Sequence, residues 1–206
     1  MPISWYFCSL FIHQNFLFRM QSEIDACLKV LKAGGTILYP TDTIWGVGCD
    51  ATNAAAVDKI YHLKKRIEGK SLIILLDDFK RIGDYVVDVP EVAADLVSSV
   101  DTPLTIIYSK AKNLSTNVIA KDQSIAIRIV RNAFCCRLIR AFGKPIVSTS
   151  ANISGEPPPQ TFKNISRQIL EGVDYVVDPS LDDIRTIKTS RIIRLEANGE
   201  FRIIRK

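Results

Sequence analysis

The period at which apolar residues recur changes repeatedly along the chain, and each change marks an element. Between Ser22 and Ala33, residues Ile24, Cys27, Leu28 and Leu31 share one helical face, Ser22 and Asp25 stand at capping-box spacing, and Gly34-Gly35 ends the run. Thr36–Tyr39 reads as a buried strand closed by Pro40. A second helix is predicted over Asn53–Lys65, capped by Thr52 or Asn53, with Val57, Ile60, Tyr61 and Lys64 along one side. Ser71–Leu76 is a continuous apolar run after its first residue, the pattern of a strand buried on both faces. Pro90–Val100 predicts a helix with its proline in the first turn. Leu104–Tyr108 and Ser124–Val130 predict strands, and in the second Ile125, Ile127 and Ile129 alternate with Ala126 and Arg128.

Further along, Ala133–Phe142 predicts a helix stopped by Gly143, followed by a strand at Pro145–Ser148 and a polar loop at Thr149–Gln160. Phe162–Leu170 predicts a helix and Tyr175–Val177 a short strand. Arg191–Leu195 and Phe201–Arg205 predict a hairpin turned by Asn198-Gly199. Strands alternate with helices, while the terminal hairpin requires antiparallel pairing. The expected fold is therefore α/β, a single-domain mixed twisted sheet flanked by helices.

Residues 1–20 are read as an N-terminal extension ahead of one domain over residues 21–206. The stretch Ser4–Phe18 is aromatic-rich and broken by His13, Gln14 and Asn15. It is shorter than the roughly 20 apolar residues that span a bilayer. It also lacks the basic start and small-residue cleavage site of a signal peptide. Met20 directly precedes the capped helix start, which gives the expectation that the native protein begins there.

Composition narrows the class. At 206 residues, 47% hydrophobic and 24% charged, the chain has enough apolar material for one globular core. Its net charge of +5 favours a polyanionic partner such as a nucleotide or RNA. The 5 cysteines (Cys8, Cys27, Cys49, Cys135 and Cys136) form neither a paired framework nor a C-x-x-C, which points to reducing cytoplasm. His13 and His62 are too scattered for a zinc-type site, and no protein metal site is expected.

Several segments invite a phosphate-binding interpretation. Gly69-Lys70-Ser71 resembles the end of a Walker A loop, but Lys64 stands where that loop needs glycine, and a strand follows where it needs a helix. Gly46-Val47-Gly48-Cys49-Asp50-Ala51 fits the dinucleotide pattern, yet Gly46 lies six positions beyond Pro40, too far from the strand end. More informative is a distributed set. Pro40–Gly48 leaves a strand with hydroxyls, an aromatic and glycines; Lys64-Lys65-Arg66 ends a helix with cations; Ser148-Thr149-Ser150-Ala151-Asn152 closes another strand with hydrogen-bonding side chains. Helix capping accounts for the cation cluster taken alone, and a polar turn accounts for the last cluster taken alone. Their placement together at element ends suits a nucleotide site in an open α/β sheet.

These clusters carry a resemblance. Pro40-Thr41-Asp42-Thr43-Ile44-Trp45-Gly46-Val47, the K-x-R of Lys64 and Arg66, Ala126-Ile127-Arg128, and Gly143-Lys144-Pro145-Ile146-Val147-Ser148-Thr149-Ser150-Ala151-Asn152-Ile153-Ser154-Gly155 occur in the order found in the YrdC-like threonylcarbamoyl-AMP synthase family. The chain resembles the short, single-domain form of that family, with a YrdC/RibB-like fold, over residues 22–205. It differs at Ile67, at Val100-Asp101-Thr102-Pro103 and at Thr189-Ser190-Arg191-Ile192, where the family carries proline, Trp-Pro-Gly-Pro and Pro-Ser-Thr.

The resemblance implies that bicarbonate-derived carbon dioxide adds to the amine of L-threonine. The resulting carbamate attacks the α-phosphate of ATP and releases pyrophosphate. A carbamate is already anionic, so positioning and positive charge matter more than a base. By resemblance, Lys64 and Arg66 act catalytically, and Lys64, Arg66, Lys70, Ser124, Ser148, Ser150, Asn152 and Arg205 bind ATP. Thr41, Arg128 and Ser190 bind threonine, with Arg128 on its carboxylate. Mg²⁺ is expected with ATP, and tRNA with a threonylcarbamoyl transferase machinery downstream, all away from membranes. The alternative of another class is a non-catalytic module that binds double-stranded RNA or tRNA on the same fold. A carbamoyl-adenylate-forming domain of the hydrogenase-maturation type is a second enzymatic alternative.

Overall fold

The computed structural model describes residues 4–66, 72–182 and 189–206, with side chains from Gln14 onward. Nine strands among these residues form one sheet. In chain order they are β1 (Ile37–Tyr39), β2 (Gly46–Gly48), β3 (Ile73–Leu76), β4 (Leu104–Tyr108), β5 (Ile125–Ile129), β6 (Ile146–Ser150), β7 (Tyr175–Val176), β8 (Arg191–Leu195) and β9 (Phe201–Arg205). Their order across the sheet is β7-β1-β2-β6-β3-β5-β4-β8-β9. Three neighbouring pairs are parallel, β1/β7, β3/β5 and β4/β8, and the others are antiparallel. The mixed α/β sheet expected from the pattern is therefore what the chain builds.

Helices α1 (Ser4–Lys32), α2 (Ala54–Leu63), α3 (Ile82–Tyr85), α4 (Val92–Ser98), α5 (Ala133–Phe142) and α6 (Arg167–Gly172) accompany the sheet. Both longer inner helices start on an asparagine: Asn53 accepts from the Ala56 amide and Asn132 from the Cys135 amide. Gly143 ends α5 in the left-handed region at φ +75°, the cap position that glycine fills without strain. Helix α1 packs against α5.

Several expectations need correction. Helix α1 does not start at Ser22 but passes through it. Its buried stripe already includes Met20 ahead of Ile24, Cys27 and Leu31, and Asp25 accepts from Gln21 one turn back at 3.0 Å instead of closing a cap. The helix expected over Pro90–Val100 shortens to α4, and that over Phe162–Leu170 divides into a 3-10 turn at Phe162–Asn164 and α6. The strand expected at Pro145–Ser148 begins at Ile146 and extends to Ser150. Finally, β2 was unexpected, because two glycines in three residues carry little strand signal. Its backbone is nevertheless paired on both sides, to β1 and β6. A Cβ on Gly48 would lie 2.4 Å from the Val147 carbonyl oxygen and 2.7 Å from the Tyr39 ring, so this strand is glycine because its neighbours lie against it.

Candidate functional site

On the sheet lies a cavity of about 500 Å³, bounded by the β1–β2 turn, the end of α2, the middle of β5, the end of β6, and the β8–β9 pair. Of the residues expected in a site, Thr41, Arg66, Arg128, Ser148, Ser150, Asn152, Ser190 and Arg205 all line it. The fold thus brings together groups from position 41 to position 205.

Local chemistry shapes each wall. In the β1–β2 turn, the Thr41 hydroxyl accepts from the Thr43 amide at 3.1 Å and donates to the Ile44 carbonyl at 2.7 Å. One side chain thereby organises the turn. Trp45 is buried behind it, its ring packed at a tilt against Phe162 with centroids 4.8 Å apart, and it donates from Nε1 to Asp182 at 2.7 Å. Arg128 follows Ala126 on the same face of β5, as strand alternation requires. Its guanidinium is buried and ion-pairs with Asp42 at 3.2 Å, donates to Thr43 Oγ1 at 3.2 Å, and keeps Nε without a hydrogen-bond partner.

At the far wall, the Ser190 hydroxyl is buried and shares a 2.7 Å hydrogen bond with Thr105. Arg205 donates from Nη2 at 2.7 Å to the Ser190 carbonyl, which ties the last strand to this wall. Burial lowers the pKa of Arg66; burial and then the Arg128 charge lower that of Arg205. The first shift expresses a cation withdrawn from water and the second also its proximity to Arg128, and an anion in the cavity would relieve both. Asn152 donates from Nδ2 to the Ile153 and Glu156 carbonyls, which leaves its buried Oδ1 as an acceptor with no partner in the protein.

The end of α2 explains why the two cations of the K-x-R pattern part company. The Lys65 amide donates to the His62 carbonyl and the Arg66 amide to the Tyr61 carbonyl, the paired bonds of a Schellman cap. Lys65 occupies its left-handed position at φ +49°. Arg66 emerges beside the cavity, whereas Lys64 turns inward, is buried, and does not line it. Ser124 also lies outside the lining: its hydroxyl donates to Asp122 at 2.6 Å. Lys70 falls outside the described residues.

Several lining residues were not singled out from the sequence. Thr43 sits inside the Pro40–Gly48 segment and Thr189 heads the Thr189–Ile192 departure, so both were legible there; Glu156 carries no local signal. Among the described residues, no three histidine, cysteine, aspartate or glutamate side chains group to hold a metal ion. Nor is any helix among them long and apolar enough to cross a membrane.

Fold and site together define a mixed-sheet α/β protein with a cavity lined by the three arginines Arg66, Arg128 and Arg205. The chain belongs to the Sua5/YciO/YrdC family, whose model, described as "Telomere recombination", matches residues 29–206. It is 36% identical over 164 residues to a threonylcarbamoyl-AMP synthase of Pseudoalteromonas translucida (strain TAC 125), covering 78% of this chain and 88% of that protein. It is 35% identical over 183 residues to a threonylcarbamoyl-AMP synthase of Vibrio parahaemolyticus, covering 84% of this chain and 98% of that one. The structure of P. abyssi Sua5 complexed with L-threonine superposes with a TM-score of 0.77 at 25% identity, over 84% of this chain. The match spans 50% of the Sua5 chain, about half its length.

Proposed function

We propose that this chain is an L-threonylcarbamoyladenylate synthase, a nucleotidyltransferase that makes threonylcarbamoyl-AMP and pyrophosphate from L-threonine, bicarbonate and ATP for tRNA modification in the cytoplasm. The observation that carries the proposal is Arg128. A buried guanidinium with one nitrogen unpartnered lies in the same cavity as Arg66 and Arg205. Such a group is half-satisfied by Asp42 and suits a second, planar carboxylate.

Threonine is placed on the Arg128 side, with Thr41 and Ser190 around it, and ATP across the mouth, with Arg66 and Arg205 on its phosphates. Ser148, Ser150 and Asn152 line the wall that meets both, and Lys70 and Ser124 remain candidate ATP ligands. The carbamate attacks the α-phosphate while the arginines offset the repulsion between two anions. Mg²⁺ enters as MgATP. The wall offers it Glu156 and otherwise chiefly hydroxyls and cations, which fits an ion that arrives ligated by phosphate oxygens and water. The product then passes to a transferase acting on tRNA.

A non-catalytic RNA-binding module is the less suitable reading, because a base-paired helix is read through phosphates on an open surface. Here Arg66, Arg128 and Arg205 line an indented cavity of about 500 Å³ instead. Mass spectrometry of a reaction with ¹³C-bicarbonate tests the proposal. A threonylcarbamoyl-AMP species one mass unit heavier is expected, and its absence with all substrates bound would reject it.

A further inference from the structure

Lys64 and Arg66 read alike in the sequence, yet only Arg66 meets the cavity. The Lys64 side chain, only 1% exposed, is among the largest fully buried side chains of the protein. Its ammonium donates to the Ser150 carbonyl and, at 2.6 Å, to the Asn152 carbonyl. Its own carbonyl accepts from the Ser154 amide at 2.9 Å. Both ends of this one residue therefore grip the end of β6 and the turn after it, where the side chains of Ser148, Ser150 and Asn152 line the cavity on the other side.

The energetics favour a fixed clamp over a mobile phosphate ligand. An ammonium withdrawn from water costs several kcal/mol unless hydrogen bonds compensate. Here two carbonyls supply charge-assisted bonds, and swinging the side chain out to a phosphate would forfeit both, leaving the Ser150 carbonyl only the Asn152 amide at 2.9 Å. Burial, then the neighbouring Arg66 charge, lowers the Lys64 pKa to about 8, as expected for a cation enclosed without an anion.

We propose that Lys64 is a positioning residue that pins the Ser150–Asn152 backbone to the end of α2 and so sets the ATP-facing wall, without contacting phosphate itself. The part concerning ATP rests on the function proposed above; the clamp itself does not.

The test uses the full chain carrying Lys64→Met or Lys64→Arg. In ligand-free protein, amide hydrogen exchange at Ala151, Asn152 and Ser154 should speed tenfold or more in Lys64→Met, with α5 amides unchanged. Unchanged exchange would overturn the clamp. ATP binding by calorimetry then separates positioning from direct contact. Lys64→Met should raise the ATP Kd at least tenfold, and Lys64→Met combined with Asn152→Ala should be no more than about twofold worse than the worse single variant. Lys64→Arg should not restore affinity. Additive effects, or rescue by arginine, would overturn the proposal in favour of a phosphate contact. A normal ATP Kd in Lys64→Met would overturn it in favour of a merely structural role. If Lys64→Met does not fold, Lys64→Gln, which keeps a donor for one carbonyl, carries the same readings. A wild-type chain that binds no ATP would sink the functional proposal, while the exchange result would still decide the clamp.

Discussion

Arg128 on β5 and Asp42 in the β1–β2 turn form an ion pair of 3.2 Å whose side chains are only 5% and 11% exposed. The pair holds the guanidinium at the cavity in one orientation while leaving part of its fork free for a ligand. Arg128→Ala should therefore raise the KM for threonine at least tenfold and change the KM for ATP little; equal effects on both would contradict the assignment. The same substitution strands the Asp42 carboxylate, which costs about 3–5 kcal/mol for a buried partner. Adding Asp42→Asn should recover most of that stability in a denaturant titration without recovering threonine binding.

Arg66 meets the cavity directly, and the charge it holds there has no counterpart in Lys64. Arg66→Ala should lower kcat/KM more than tenfold, equivalent to about 1.4 kcal/mol or more of transition-state stabilisation. Steady-state kinetics showing an unchanged rate would remove Arg66 from the site.

The cap that separates Lys64 from Arg66 depends on Lys65 at φ +49°. Glycine populates this region freely, and a β-branched residue does not. Lys65→Gly should leave stability unchanged or raise it by up to about 1 kcal/mol, while Lys65→Val lowers it and weakens ATP binding. Thermal unfolding beside ATP titration checks both halves, and a Lys65→Val protein indistinguishable from wild type would discount the cap.

Acid should loosen the approach to β5. The Ser124 hydroxyl and then Arg194 hold the Asp122 pKa at about 2, below its ordinary 3.8. A depressed carboxylate contributes stability that is fully present above the unfolded pKa and lost as pH falls through the folded one. Asp122 should thus add stability above about pH 4 and surrender it towards pH 2. Replacing it in Asp122→Asn should flatten that part of the acid-unfolding curve, and an identical curve would refute the role.

Much of this arrangement was legible before any coordinates. The period-2 alternation of Ser124–Val130 put Ala126 and Arg128 on one face, and Asn198-Gly199 located the terminal hairpin, because both signals are local. Long-range packing hid the rest. Gly46–Gly48 is a strand only because β1 and β6 lie on either side of it. Met20 joins the buried stripe of α1 and carries the helix past a plausible cap at Ser22. The opposite fates of Lys64 and Arg66 follow from backbone dihedrals at Lys65, which a K-x-R spacing does not reveal. The Ser124 hydroxyl donates to Asp122, a contact its motif does not reveal.

The central claim is adenylate formation from three substrates, and omission of each in turn tests it most directly. Purified protein incubated with MgATP, bicarbonate and threonine should release pyrophosphate only when threonine and bicarbonate are both present. Release that ignores either of them, or no release from a protein that binds ATP, would contradict the account.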